Sequence, residues 1–339
     1  MRQDRTPHDK ADPDLRAPAA GHAPCVDFDS KWAQSRMLCR LQRRSFDYFV
    51  NEVNRENGLV LDKTRDDWPA SIAAMGMALT AMPVGVSRRF IGRGEAAERT
   101  LTTLRFLATS EQGPQPDATG HKGFYYHFLH MQTGRREWQC ELSSIDTALL
   151  IAGALAAAQF FDRADAPESE IRELATFLYE RVDWAWMLAG SDRICHGWRP
   201  ESGFLPYRWE GYDEALILYL LALGSPTHPI DPACYDAWSR SYQWKRIYDI
   251  DYLSAGPLFV HQMSHIWCDF RGIQDRFMRE RGSDYFENSR RATRVQQLYA
   301  IANPMGFHHV GEFRWGITAS DGPGNLTCIV DGVERTFYD

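Results

Sequence analysis

An all-α fold, a toroid of paired inner and outer helices, is what this sequence predicts, and three observations carry the prediction. Long segments repeat apolar residues at helical spacing, several of them are apolar all round, and no regular alternation of strand and helix interrupts them. A helix without a polar face must be surrounded by protein, and closure into a ring gives an inner helix neighbours on both sides. Helical hairpins can also stack into an open solenoid, but here the segments vary in length and no fixed period recurs.

The elements follow in order. Residues 1–27 are polar, contain four prolines, and read as a flexible lead-in to one domain over residues 28–339. Apolar residues at helical spacing over residues 32–56 predict the first helix, which GLVLDKTRDDWP breaks. ASIAAMGMALTAMPVG, residues 70–85, is a nearly all-apolar helix of small residues. GRGEAAERTLTTLRFLAT, residues 92–109, has its acids near its start, where the helix dipole favours them, and SEQGPQPDATGHKG closes it. An alanine-rich buried helix is expected over residues 143–161 and an amphipathic one over residues 169–188. GYDEALILYLLALG stops at Gly224 and Pro226. Residues 259–282 and 284–303 form a last predicted pair, with Gly282 between them.

Charge and composition narrow the function. With 38 basic and 45 acidic residues the formal charge is −7, and without a sustained basic block a nucleic-acid partner is not expected. No stretch is long and apolar enough to span a membrane, and the N-terminus lacks the apolar core of a secretion signal. The chain as written is therefore expected in the cytoplasm, or in the periplasm if a leader was removed. The seven cysteines are scattered without a CxxC pair, which argues against a zinc knuckle or a paired disulfide framework. Aromatic residues reach 13%, including 11 tryptophans, and flat rings beside polar groups suit sugar stacking as well as a core.

Four constellations carry candidate chemistry. In GFYYHFLHMQTGRREWQCELSSIDTALL, His127, Trp138, Glu141 and Asp146 gather at the mouth of a helix that Ser143 or Ser144 can cap. Asp146 serves equally as a helix-start acid, so a catalytic role needs a second carboxyl. Glu214 supplies one: it follows Trp209 and Tyr212 and directly precedes AlaLeuIleLeuTyrLeuLeu, so partial burial should raise its pKa, as a glycosidase general acid requires. His261, His265 and Asp269 recur every four residues, on one face of the predicted helix. HExxH is absent and no metal site is assigned. WGITASDGPG holds Trp315 and Asp321 in a glycine-rich loop that lacks the GKS/T ending of a phosphate loop, and reads as a turn scaffold or a cleft-lining loop.

GFYYHF, ELSSIDTALLIAGAL, GYDEALILYLLALGSPTHPI, GPLFVHQMSHIW, DFRGIQDRFMRERGSDYFENSRRAT and WGITASDGPG together resemble the bacterial glucoamylase-like family, which includes β-1,2-glucanases and is related to a domain of cyclic β-1,2-glucan synthases. The resemblance runs from about Ser45 to the C-terminus. It implies an (α/α)6 toroid and an endo-acting, inverting hydrolase of β-1,2-glucan that needs no organic cofactor or catalytic metal. The family acids fall on Glu141, Asp146 and Glu214, with Glu214 as general acid, while the base is left open between a carboxylate and a water relay. His127, Trp138, Trp209, Tyr212, His261, His265 and Trp315 are the implied sugar contacts, with Asp321 on the loop beside them. Family chains run on past GVERTFYD, so the resemblance also implies a toroid incomplete at its C-terminus, and exposed apolar surface there would favour a homo-oligomer. A glucan-binding protein without catalysis and a β-1,2-glucan transglycosylase are the alternative readings.

Overall fold

A computed structural model describes residues 31–320, 326–330 and 332–337. The lead-in over residues 1–27 and Asp321 lie outside the described residues. The chain divides between Asp47 and Tyr48 into two compact units, with helix α1 (Lys31–Asn51) running across the division. The second unit holds the other helices: α2 (Ile72–Ser87), α3 (Arg93–Thr109), α4 (Ser144–Phe160), α5 (Ala166–Glu180), α6 (Leu216–Leu223), α7 (Ala233–Ser239), α8 (Arg276–Glu280) and α9 (Tyr285–Ala302). Helices make up 45% of the structure against short antiparallel strands, so the core is helix on helix, as in an (α/α) toroid. No helix among the described residues is long and apolar enough to cross a membrane.

Burial separates inner from outer helices. α4 buries residues all round, from Ser144 through Leu149, Leu150 and Ile151 to Ala157, whereas α5 buries one stripe through Ile171, Ala175 and Leu178. α2 packs on α4, α3 on α5, and α4 also meets α5 and α6. The α2–α4 crossing is backbone on backbone: a Cβ at Gly153 would stand 2.1 Å from the Gly76 carbonyl oxygen, and one at Gly76 would stand 2.4 Å from that of Leu149. Side-chain caps start the helices where the sequence turns polar. Ser143, Asp165, Asp275 and Asp284 each accept from a backbone N–H in the first turn of α4, α5, α8 and α9. Arg93 at the start of α3 donates to both Glu168 oxygens, at 2.7 and 2.8 Å, and to Phe160 O at 3.0 Å, tying the α4–α5 turn to α3.

Two predicted helices are corrected. Over residues 259–282 the chain makes 3-10 turns at Leu258–His261 and Met263–Ile266, followed only by the short α8. Gln262, at φ −121°, breaks the spiral between the two turns. The break lets His261 bury completely while His265 Nε2 reaches Ser289 Oγ at 2.9 Å and the Trp267 indole donates to Thr80 Oγ1 at 2.8 Å. Tertiary packing overrides the helical spacing, so His261, His265 and Asp269 share no helix face. The helix predicted over residues 169–188 likewise ends at Glu180, and Trp186–Leu188 is a separate 3-10 turn.

Gly153→Ala should cost about 1–3 kcal/mol through overpacking, read as a lower denaturant midpoint. Gly94→Ala, in α3 with nothing within 4 Å of the new methyl, should be neutral or stabilise by up to about 1 kcal/mol.

Candidate active site

His127 is set in place by its backbone before its ring does anything. It lies between the short strands Phe124–Tyr125 and Phe128–Leu129; its N–H donates to Glu141 O at 3.0 Å, and its carbonyl accepts from Ile72 N at 3.2 Å. The ring stacks on Phe128 with centroids 4.0 Å apart. Nδ1 then lies 3.2 Å from Glu141 Oε1 and Nε2 lies 3.5 Å from Asp146 Oδ2. With a carboxylate at each nitrogen, only the doubly protonated imidazolium can donate to both.

Asp146 sits in the first turn of α4, where the Ser143 hydroxyl donates to Oδ2 at 2.5 Å and Ser143 Oγ accepts the Asp146 N–H at 3.2 Å. Glu141 also faces Arg199 Nη2 at 3.5 Å. Arg199 arrives on the strand Gly197–Arg199, which pairs antiparallel with Leu142–Ser143. Gly197 is required there, because a Cβ would meet Leu142 O at 2.3 Å and the Glu141 side chain at 2.8 Å. Ser144, fully buried, donates from Oγ toward Cys195 O at 2.7 Å and accepts the Trp209 indole N–H at 2.9 Å. The mouth of α4 is thus locked to the segment that carries Arg199.

The electrostatics push neighbouring groups in opposite directions. The His127 hydrogen bond, acting against burial and helped by Arg199, pulls the Glu141 carboxyl down to about 2. Burial opposes charge on His127, but the Glu141 hydrogen bond and the charges of Asp146 and Glu141 outweigh it and raise its pKa. Glu214, half-buried in the turn before α6, moves up through burial and then through the charge of Asp146. Asp213 is pushed up to about 7, mainly by burial, although Ala215 N and Trp238 Nε1 both donate to its Oδ1. One carboxyl inclined to hold its proton and another strongly inclined to lose it make the division of labour that acid–base hydrolysis uses.

The structure therefore brings Glu141, Asp146 and His127 together and couples Glu214 to them through Asp146. Trp138 and Trp315 are exposed, at 51% and 38%. Trp209, Tyr212 and His261, expected as sugar contacts, are largely buried, at 7%, 9% and 0% exposure. The ring of Trp209 is covered by His196 at 3.9 Å, and that of Tyr212 lies against Tyr285 at 5.7 Å. His265 is bound to Ser289 and packs its ring on Phe270. Arg199, which faces Glu141, His196, which covers Trp209, and Asp213 were not among the residues singled out from the sequence. The alternating run HGWR after the glycine-poor α5 segment was the available signal for the first two.

The sign of the pH response follows. Glu141, held below its ordinary 4.5, contributes stability that is complete above that value and is lost as pH falls toward about 2. His127, held above its ordinary 6.5, contributes stability below that value that is lost as pH rises through its folded pKa. His127→Gln should raise the Glu141 pKa by about 1–3 pH units, read by carboxyl 13C NMR titration. The stability gap between wild type and variant should also shrink as pH falls from 4.5 toward about 2.

Comparison with known proteins places the chain. Residues 206–333 match the family model Glycoamylase, described as "Putative glucoamylase". A crystal structure under that description from Bacteroides uniformis is 29% identical, with a TM-score of 0.76 over 84% of this chain and 71% of that one. The β-1,2-glucanase structure from Parabacteroides distasonis, 24% identical, has the same fold at a TM-score of 0.76, covering 85% of this chain and 44% of that one. An exo β-1,2-glucooligosaccharide sophorohydrolase of the same organism is 26% identical over 84% of this chain, and the chain spans 43% of that curated relative's length. In its matched segment, its helical architecture and these relatives, the chain is similar to the bacterial glucoamylase-like family.

Proposed function

We propose that this chain is a glycoside hydrolase that cleaves β-1,2-glucan internally with inversion at the anomeric carbon. The observation that carries the reading is the carboxylate pair Glu141 and Asp146 bridged by His127, together with Glu214, a half-buried carboxyl whose pKa burial and the charge of Asp146 raise. Glu214 gives its proton to the glycosidic oxygen as the C1–O bond breaks, and the leaving glucan departs as an alcohol. Water attacks C1 from the opposite face and passes a proton to a carboxylate, directly or through a second water. We assign that step to Asp146, while Glu141, bonded to His127 Nδ1, orients the imidazole. The chemistry calls for neither a metal nor an organic cofactor.

The similarity to an exo-acting sophorohydrolase favours one second reading, release of disaccharide units from the non-reducing end. Product size separates the two. Linear β-1,2-glucan should yield new reducing ends as a ladder of oligosaccharides, whereas an exo enzyme would give sophorose alone. Glu214→Gln should lower kcat by about 10²–10⁴-fold, with β-1,3-glucan and starch left uncut by wild type. Conversion without new reducing ends would favour transfer, and a folded wild type that cuts nothing would overturn the hydrolase reading.

A further inference from the structure

The loop leading into the carboxylate cluster is bent against the preference of its own side chains. Residues 137–140 form a turn closed by Cys140 N donating to Glu137 O at 3.1 Å. Both central residues have positive φ, 54° at Trp138 and 53° at Gln139. Gly, Asn and Asp normally fill such turns, so a tryptophan there is held under strain.

Arg136 does the holding. Its guanidinium donates from Nε to Cys140 O at 2.6 Å and from Nη2 to Gln139 O at 2.7 Å, so it grips two carbonyls of the strained turn. It also donates to both oxygens of Glu201, at 2.6 and 3.0 Å, and lies over the Tyr126 ring at 4.6 Å. The Arg136 side chain is only 2% exposed. What this presents is an indole that is 51% exposed. Trp138 stands edge-on to Trp68 at 4.7 Å and lies 5.2 Å from Phe128, whose ring stacks on His127. Trp68 is fixed in turn, donating from Nε1 to Asp62 at 3.1 Å with Arg65 over its ring at 4.5 Å. An unbroken aromatic path runs from this rim to the carboxylates.

Strain that exposes an indole gives nothing to the core, and strain beside a site commonly serves the ligand. We propose that Trp138, with Trp68 beside it, is a rim platform on which a glucosyl residue stacks when a β-1,2-glucan chain extends past the carboxylates, and that Arg136 is the positioning residue that presents it. The proposal rests on the hydrolase reading above. The apolar face of a pyranose suits an indole plane, and a rim contact adds affinity only for chains long enough to reach it.

The test measures affinity by calorimetry for β-1,2-glucooligosaccharides of increasing length, in the uncleaving Glu214→Gln protein. Trp138→Ala should weaken binding of the long chains about tenfold and leave the short ones unchanged. Arg136→Lys should do the same, because an ammonium cannot span two carbonyls and a carboxylate at once. In the active protein both changes should raise KM for the polymer and spare kcat. Trp138→Phe should keep most of the affinity, and since position 138 is exposed its variants test the platform without disturbing the core. Equal length dependence in parent and Trp138→Ala would overturn the platform while leaving the hydrolase reading intact. A parent that neither binds nor cuts β-1,2-glucan would overturn both.

Discussion

The close approach of α2 and α4 is the constraint from which the rest of the second unit follows. Gly76 and Gly153 let the two backbones touch, so α4 lies deep enough to be buried on every side. Its first turn is then held at a fixed depth and direction, with Ser143 as its cap and Asp146 beside it. The start of α2 is tied to the same place, since Ile72 donates to the carbonyl of His127. One helix crossing thus sets the separation between the histidine and the carboxylate it faces. Ser144 fastens the other side, joining the helix mouth to Cys195 and to the Trp209 indole.

On that frame, burial works in two directions. Around Glu141 it is overcome by donors, His127 on one oxygen and Arg199 facing the other, and the carboxyl becomes more acidic. Around Asp213 and Glu214 donors are fewer or weaker than the loss of water, and both carboxyls hold protons more tightly. The contrast comes from local geometry, a strand pair that delivers cations to one side and an apolar helix start that delivers none to the other.

Much of this was legible in the sequence where a local rule decides the outcome. The apolar run of α2 and the Ser–Ser–Ile–Asp opening of α4 specify their helices through patterning and caps, and the structure has both where patterning puts them, while the amphipathic stripe marks α5 but not its end. Glu141, Asp146 and Glu214 were visible as acids at helix mouths. Long-range contact hid the rest. Nothing local says that His127 reaches two carboxylates, because the reach depends on strands brought together from distant parts of the chain. The spacing of His261, His265 and Asp269 looked helical, yet His261 packs against the Tyr212 ring, His265 bonds to Ser289 and Asp269 accepts from Arg271. The turn at Trp138 and Gln139 carries no Gly or Asn signal, because Arg136 and Glu201 supply from outside what the turn residues lack.

The α2–α4 crossing also bears on how the chain reaches this state. All of α3 and the hairpins after it lie between the two helices, so their contact closes a long loop, and such contacts form slowly because the entropy is lost before the packing is gained. During synthesis α2 emerges with only α3 to pack on until α4, its main partner, has followed, and the mouth of α4 waits longer still, for the segment around Cys195 and Trp209. The carboxylate cluster is thus assembled late, and the face of α2 that meets α4 spends that interval uncovered. A cell making this chain has reason to shield residues 72–87 until residue 160 has been built.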